Sequence, residues 1–358
     1  MREENALELF RKMPLLNIRN GLGVLTNVQW IGKILEDVSV GKASMEIEKP
    51  DEVSVMGVDE LEDHKIKQLI SQGFEHNKFD YLHLALSEVK VIVIPKDSRS
   101  ILRIKNSSVG NTFSHLVIIA KENSESEIFM DSQSIDSGNE GVITDFVEIF
   151  LKEGSRLNIT DLRNHGRKFL YSRKHAHLAE SAILRWSSIE GPSRLAISES
   201  KSLVGKGSDS LLNTLVLANN SEYNIFTKTE HQKEKSNSLM LVRAILKKSK
   251  AVLRGLVQID EDACQSNGYQ KTDMMMLDNE SRAVSIPDLQ IHNHDVKCTH
   301  GSACHRPDRD KMFYLQSRGL AASQAEGLII EGFYAKALEP VAEIFREEIR
   351  NRIKAILE

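Results

Sequence analysis

Short apolar runs separated by polar turns fill the middle of the chain. Between about residues 113 and 260, five pairs of runs recur, and the turns inside the pairs centre near residues 122, 153, 190, 219 and 248. The first pair consists of HLVIIA and ESEIFM, on either side of the polar turn KENS. Short apolar runs bounded by turn signals are consistent with buried β-strands. Because the turns recur 29 to 37 residues apart, the sequence predicts a repeated, mainly β structure.

Two architectures fit such a repeat. In a parallel β-helix each coil contributes short strands that bury their apolar face only by stacking on the next coil. In an antiparallel β-sandwich, turn signals come about every 8–12 residues. The longer spacing and the two strands in each repeat favour the β-helix and leave the sandwich open.

The two ends of the chain differ from this repeat. Residues 1–78 are mixed, with a helix expected over 6–13, a weak strand over 53–58 and a helix over 61–71. A β-rich pattern begins at Phe79 with FDYLHLALSEVKVIVIP. We therefore expect an N-terminal mixed or helical region over 1–78, a β-helix core over 79–307 and a C-terminal helical region over 308–358.

The C-terminal region carries helix signals. Asp308 is a suitable N-cap for a helix through Ser317, and Gly319 a suitable stop. Ser323 and Glu326 form a capping-box pattern that would open the next helix. After Pro340 an apolar stripe recurs at helical spacing: Val341, Phe345, Ile349, Ile353 and Ile356. This stripe either packs on the body of the protein or binds a partner.

Composition narrows the functional class. The 358 residues carry a net charge of −4, which argues against nucleic-acid binding. Three cysteines do not form a disulfide framework, and no apolar run reaches membrane-spanning length. We expect a soluble, cytoplasmic protein. The GKGS sequence that begins at Gly205 lacks the first glycine of a P-loop and is interpreted as a turn.

Residues 291–320 concentrate metal-binding side chains, with two of the three cysteines and four of the twelve histidines. As one extended strand, this segment would place four of them on one face: His292, His294, Cys298 and His300. A turn with Cys304 and His305 would follow. Cysteine and histidine suit zinc, iron and iron–sulfur species.

Strand geometry limits what these ligands can share. Cys298 and His300 would lie about 6.6 Å apart, close enough for one metal atom, whereas His292 and Cys298 would lie about 20 Å apart. The face therefore offers two-ligand half-sites that a second chain would complete.

Other interpretations of the same side chains stay open. A closed zinc site would form if the turn folded Cys304 and His305 back onto Cys298 and His300. Alternatively, the histidines are surface residues and the cysteines pack as small apolar side chains. Elsewhere, we interpret Cys264 as packing, His231 as a satisfied turn residue, and His175 and His177 as solvated.

Three blocks of this region resemble the C-terminal signature of the SufB/SufD family, the scaffold subunits of the Suf iron–sulfur cluster assembly system. They are DVKCTHG at 295–301, FYLQSRGL at 313–320 and LIIEGF at 328–333. KCTHG is the SufD form of the signature. The interface cysteine of SufB chains falls at Ser281 here, so the resemblance implies a SufD-like chain.

The resemblance implies a right-handed parallel β-helix flanked by helical regions. Family members pair through the β-helix, with each other or as homodimers, and their C-terminal helices dock the ATPase SufC. Cys298 and His300 match the interface cysteine and histidine of SufD-type chains. This supplies the second chain that the half-site geometry requires.

We therefore expect a non-enzymatic, SufD-like scaffold that docks a SufC-type ATPase and pairs with a SufB-type chain or a second copy of itself. Iron or a nascent iron–sulfur cluster would bind transiently at Cys298 and His300, with Cys304, His305, His292 and His294 as further candidate metal ligands. The alternatives are a zinc-dependent metallohydrolase with a Cys/His site, and a structural partner whose ligands are vestigial.

Overall fold

A computed structural model describes residues 3–15, 18–19, 25–26, 28–36, 39–72, 74, 77–136 and 138–357. Two nine-stranded sheets dominate it, and a two-stranded antiparallel ribbon precedes them. The strands are β1 (Ile18–Arg19), β2 (Leu25–Thr26), β3 (Lys42–Glu48), β4 (Ser54–Gly57), β5 (Glu88–Ile94), β6 (Arg99–Val109), β7 (Thr112–Ala120), β8 (Glu125–Ser134), β9 (Val142–Leu151), β10 (Arg156–Asn164), β11 (Phe169–Leu178), β12 (Ile183–Glu190), β13 (Leu195–Val204), β14 (Asp209–Asn219), β15 (Glu222–His231), β16 (Asn237–Lys247), β17 (Lys250–Ile259), β18 (Asn267–Met276), β19 (Arg282–Ile291) and β20 (Lys297–His305).

Helices lie mainly near the two ends of the chain. The α-helices are α1 (Glu3–Lys12), α2 (Gly32–Glu36), α3 (His64–Leu69), α4 (Lys78–Leu86), α5 (Arg309–Ser317), α6 (Ala322–Ala335) and α7 (Glu343–Leu357), and short 3-10 turns cover Gln29–Ile31 and Val58–Glu60. Among the helices described, none is long and apolar enough to cross a membrane.

From β5 onward, each strand pairs in parallel with the strand two places along the chain. One sheet contains the even-numbered strands from β6 to β20, and the other the odd-numbered strands from β5 to β19. Arg156 of β10 pairs with Ile183 of β12, which pairs with Asp209 of β14. Each coil therefore adds one strand to each sheet. The result is a parallel β-solenoid of about eight turns. The predicted mainly β fold with terminal helices is confirmed, and the sandwich is excluded.

The five predicted turns fall on two different edges of the solenoid. Those near 122 and 153 connect β7 to β8 and β9 to β10, from the odd sheet to the even one. Those near 190, 219 and 248 connect β12 to β13, β14 to β15 and β16 to β17, back to the odd sheet. The long interval of 37 residues between 153 and 190 therefore spans about one and a half coils rather than one coil with an inserted loop.

The interior of the solenoid contains most of the hydrophobic core. Residues of alternate parity point inward from both sheets, as Ile128 and Met130 of β8 and Val147 and Ile149 of β9 do. A second interior cluster, near the opposite edge, includes Tyr223 of β15. Burial on one face only is what the period of two requires.

The segment 79–86, predicted as β, is instead helix α4, so that prediction is wrong. Asn77 caps it, accepting hydrogen bonds from the backbone N–H groups of Phe79 and Asp80. Phe79 then packs against Phe169 on the outer face of the odd sheet, with ring centroids 5.0 Å apart. The apolar run is therefore buried as a helix face rather than as a strand.

The C-terminal helices begin where Asp308 was expected to cap them. Its carboxylate accepts from the N–H groups of Asp310 and Lys311, and α5 ends at Ser317 as predicted. The capping box at Ser323 and Glu326 is wrong. Helix α6 begins at Ala322, and Gln324 accepts from the N–H of Ala321.

Helix α7 lies across the outer face of the even sheet. Its stripe of buried side chains packs on outward-pointing residues of five successive strands: Phe129, Leu162, Ile189, Leu215 and Ile245. Arg352 also bonds the carboxylate of Asp131, at 3.0 Å. The interpretation in which the stripe packs on its own protein is confirmed.

The two ends of the solenoid differ. At the N-terminal end, β3 pairs antiparallel with β6, and β4 pairs antiparallel with β5. At the C-terminal end, β19 and β20 are the last strands of their sheets, and no other strand of the described ranges pairs with their outer edges. The segment with the candidate ligands forms this open end.

Candidate metal-ligand site

Strand β20 carries the central part of the cysteine–histidine segment. It runs unbroken from Lys297 through Gly301 to His305, paired with β18 along its whole length. The predicted turn containing Cys304 and His305 is therefore wrong. The register with β18 keeps Gly301 extended, opposite Lys271.

Cys298 and His300 lie on the inward face of β20, as their spacing required. Cys298 is opposite Gly268 and His300 is opposite Gln270, and both β18 residues are buried in the interior. Cys304 is on the same face, opposite the buried Met274. No further coil in the part of the chain that the structure describes covers these side chains, so His300 and Cys304 are exposed and Cys298 is half-buried.

His292 and His294 do not belong to this face. Both are exposed in the connection between β19 and β20, where the N–H of His292 donates to the carbonyl of Ile259. The single strand that was expected to align them with Cys298 and His300 is interrupted there, so this prediction is wrong. The polar residue Asn293, which donates to the carbonyl of Glu261, helps to form the turn.

His305 points to the opposite side of the strand. Its Nε2 lies 2.9 Å from Oδ1 of Asp273, and its ring contacts Phe333 of α6 edge-on at 5.7 Å. The closed zinc site required His305 and Cys298 on the same side of the chain. The two side chains instead point to opposite faces of β20. Within the described ranges, no three His, Cys, Asp or Glu side chains are placed to hold one metal ion.

Cys298 occupies the boundary between the interior and solvent. It packs against the apolar core, and burial raises the pKa of its thiol to about 11. A Cβ placed on Gly268 would lie 3.4 Å from Sγ of Cys298 and 3.5 Å from Nε2 of His231. A thiol with this pKa is protonated at neutral pH. A bound metal or an added positive charge would favour loss of the proton.

His231 is satisfied, as predicted, although inside the solenoid. Its Nδ1 lies 2.7 Å from Oγ of Ser236 and its Nε2 lies 2.7 Å from Oγ of Ser238. Burial lowers its pKa to about 4. Both ring nitrogens of His231 are hydrogen-bonded, and the ring lies beside Gly268, the residue opposite Cys298.

His175 and His177 correct another prediction, because neither is solvated. His175 is buried, with Nε2 2.8 Å from Oε1 of Glu199, and His177 stacks on Phe150. Both point outward from β11 beneath the N-terminal segments. Their charged neighbours in the sequence concealed this packing.

A layer of buried charges inside the solenoid escaped the sequence analysis. Arg163 lies 2.8 Å from Asp145 and 3.0 Å from Asp161, and Lys174 lies between Asp161 and Glu190. Such pairs need complete mutual compensation because each ion loses its hydration. Charged residues at inward positions of β9 to β12 were the signal that could have revealed the layer.

Comparison with known proteins places the fold in a family. The family model for the SUF system FeS cluster assembly SufBD core domain matches residues 102–333, more than half of the chain. The iron-sulfur cluster assembly protein SufD of Escherichia coli (strain K12) is 31% identical over 182 residues, which cover 50% of this chain and 40% of that protein.

Two proteins of Bacillus subtilis (strain 168) match over longer stretches at lower identity. Its SufD is 23% identical over 295 residues, covering 79% of this chain and 67% of that protein. Its SufB is 23% identical over 293 residues, covering 79% of this chain and 63% of that protein. The chain thus spans less than two thirds of the E. coli SufD and of the B. subtilis SufB. The matched core includes every strand from β7 to β20, and the chain belongs to the SufB/SufD family of iron–sulfur cluster assembly proteins as a SufD-like member.

Proposed function

We propose that this chain is a scaffold subunit for iron–sulfur cluster assembly that acts in the cytoplasm without being an enzyme itself. It pairs through the open end of its solenoid, and the pair holds iron or a nascent cluster at Cys298 and His300. The observation that carries the proposal is the position of this pair in a SufBD core domain, on the inward face of the last, uncovered coil.

The geometry suits transient binding better than permanent binding. One chain supplies a thiol and an imidazole two residues apart, which leaves a tetrahedral metal at least two ligands short. A second chain docked on the open end would bring the missing ligands and exclude water. Burial raises the Cys298 pKa to about 11, so the thiol of the empty site carries its proton at neutral pH and is less readily oxidised than a thiolate. Ferrous iron would displace this proton on binding.

Anaerobic loading with ferrous iron and sulfide tests the ligands. We would co-express the chain with a SufB-type protein and measure iron and acid-labile sulfide in the purified pair. Cys298→Ser and His300→Ala should each lose bound iron, whereas Cys264→Ser, which changes a half-buried cysteine in the turn before β18, should not. Unchanged iron in Cys298→Ser would show that the ligands are vestigial and that the chain is a structural partner.

We also propose that a SufC-type ATPase docks on α5 and the outer side of α6. Helix α7 is occupied by its own sheet, so it is not available. Phe313 and Tyr314 are 74% and 57% exposed on α5, and Leu328 on α6 is 49% exposed. Exposed apolar side chains of this size on two neighbouring helices suit a protein contact.

A pull-down with a SufC homologue tests the docking surface. Deleting residues 308–358 would also remove the buried face of α7 and expose the even sheet, so point variants are preferable. Phe313→Ala combined with Tyr314→Ala should abolish capture, while Ile135→Ala, 72% exposed after β8, should leave it intact. Full capture by the double variant would exclude α5 as the docking site.

A further inference from the structure

A cavity of about 250 Å³ lies at the N-terminal end of the solenoid, the end remote from Cys298. Its walls come mainly from the first strands of the two sheets. In the even sheet β3 lies beside β6, with Met45 opposite Asn106. In the odd sheet β5 lies beside β7, with Glu88 opposite Ser114. The cavity therefore opens between the two sheets, where the stack of coils begins.

Five polar side chains line this cavity. Glu88 and Lys90 lie on the inward face of β5, because they share their parity with Ile92 and Ile94 of the hydrophobic core. Lys90 is half-buried and Glu88 is exposed. The other three polar residues are Asn106, Thr112 and Ser114. The inward face of the first coil is therefore polar at this end of its strands.

The two charged side chains of the cavity have no partners. Within the described ranges, neither Glu88 nor Lys90 forms an ion pair or a side-chain hydrogen bond, with each other or with any other residue. Charges deeper in the solenoid are paired, as Arg163 is with Asp145. A charged side chain on an inward face is rarely without a partner, so Glu88 and Lys90 are available to a ligand.

The uncharged polar groups also have free bonding capacity. Asn106 donates to Oγ of Ser114 over 3.3 Å, which leaves the hydroxyl proton of Ser114 free to be donated. Thr112 is buried, and its side chain forms no hydrogen bond with any described residue. Two hydroxyl donors therefore line the same cavity as Lys90, and this combination suits a carboxylate.

An apolar wall completes the cavity, formed by Met45, Leu86 and Phe113. Sites for small molecules typically combine apolar walls with a few polar groups that fix the orientation of the ligand. A water molecule in the liquid occupies about 30 Å³, so the volume suits a ligand of roughly eight non-hydrogen atoms.

We infer that this cavity binds a free α-amino acid with a small apolar side chain. Lys90 and the hydroxyls of Thr112 and Ser114 bind its carboxylate. Glu88 binds its ammonium group, and its side chain contacts the apolar wall. Glu88 and Lys90 lie about 6.6 Å apart along β5, which allows one small zwitterion to contact both. A simple anion would leave the carboxylate of Glu88 beside it without a partner.

Ligand analogues test the inference on the unaltered full-length chain. Isothermal titration calorimetry should show saturable binding of L-valine, which has the expected size. Isovalerate lacks the ammonium group and isobutylamine lacks the carboxylate. Each should bind at least about tenfold more weakly than L-valine, because each loses the charge-assisted hydrogen bonds at one end. Isovalerate that bound as tightly as L-valine would identify an anion site and overturn the inference.

Charge-removing variants test the residues. Lys90→Met and Glu88→Gln should each weaken L-valine binding at least about tenfold. The matched controls Lys121→Met and Glu153→Gln, which change exposed residues in the turns after β7 and β9, should bind as the unaltered chain does. Equal melting temperatures would show that all four variants are folded.

Two results would contradict the proposed site. One is the absence of saturable binding of both L-valine and L-leucine up to about 10 mM, and the other is unchanged affinity in Lys90→Met. The inference is independent of the proposed function, whose ligands lie at the other end of the solenoid. Iron loading that depended on Cys298 would therefore stand whatever the titrations gave.

Discussion

Replacing Phe345 by alanine should greatly destabilise the attachment of α7. The side chain is 1% exposed, its ring lies 5.4 Å from that of Phe129, and the Arg103 guanidinium lies 5.0 Å from its centroid. Truncating a buried phenylalanine typically costs about 3–5 kcal/mol, which combines lost apolar burial with the cavity left behind. The two ring contacts place this site in the upper half of that range, at about 4 kcal/mol.

The neighbouring residue provides a matched control. Ile344 is on the same turn of α7 but is 53% exposed, so Ile344→Ala should change stability by no more than about 0.5 kcal/mol. Urea unfolding followed by far-ultraviolet circular dichroism gives both free energies of unfolding, and similar m values would show that the denatured states are comparable.

Equal effects of the two substitutions would refute the reasoning. That outcome would mean that α7 does not pack on the even sheet in solution. Its apolar stripe would then be a surface for another protein, and the docking site proposed on α5 and α6 would have to include it.

Three further predictions concern the interior and the thiol. His231 has a folded pKa of about 4 against an unfolded value near 6.5, so the unfolded chain binds more protons and stability falls as pH drops from about 6.5 to 4. In His231→Gln, unfolding titrations across that window should show a slope smaller by up to one proton. In a background without the other two cysteines, alkylation of Cys298 followed by mass spectrometry should accelerate about tenfold per pH unit up to its pKa near 11; a plateau near pH 8 would contradict its burial. Gly268→Ala should destabilise by about 1–3 kcal/mol, because the new Cβ would lie 2.6 Å from Val257. Gly327→Ala, in α6 with open space around it, should be neutral or stabilising by up to about 1 kcal/mol; equal melting curves would refute the tight approach at Gly268.

The sequence revealed the strands because their signal is local. A period of two identifies a half-buried strand wherever it occurs, and Asp308 caps α5 through hydrogen bonds to residues two and three places away. The two edges of each coil have similarly polar turns, however. The pattern therefore could not show that the turn near 190 lies on the opposite edge from the turn near 153.

The errors in the candidate site have a common cause in tertiary contacts. The segment with Cys304 and His305 was interpreted as a turn, but pairing with β18 outweighs the weak strand preference of Gly301 and keeps the whole segment extended. His305 was counted among the ligands, but on the unbroken strand it follows Cys304 and so points to the other side, where it bonds Asp273. The spacing of Cys298 and His300 was correctly interpreted because two residues on one strand share a face whatever their partner is.

The position of α7 divides the solenoid into two mechanical parts. In a stack of coils, each coil is coupled mainly to its nearest neighbours. A coil at the end of the stack can therefore open at the cost of a single interface. By contacting the even-numbered strands from β8 to β16, α7 joins the coils that contain them into one cooperative unit. The coil formed by β19 and β20 lies beyond this unit, held by its neighbours and by the contact of His305 with Phe333. The coil with the candidate ligands can thus open by itself, while the body that supports it stays folded.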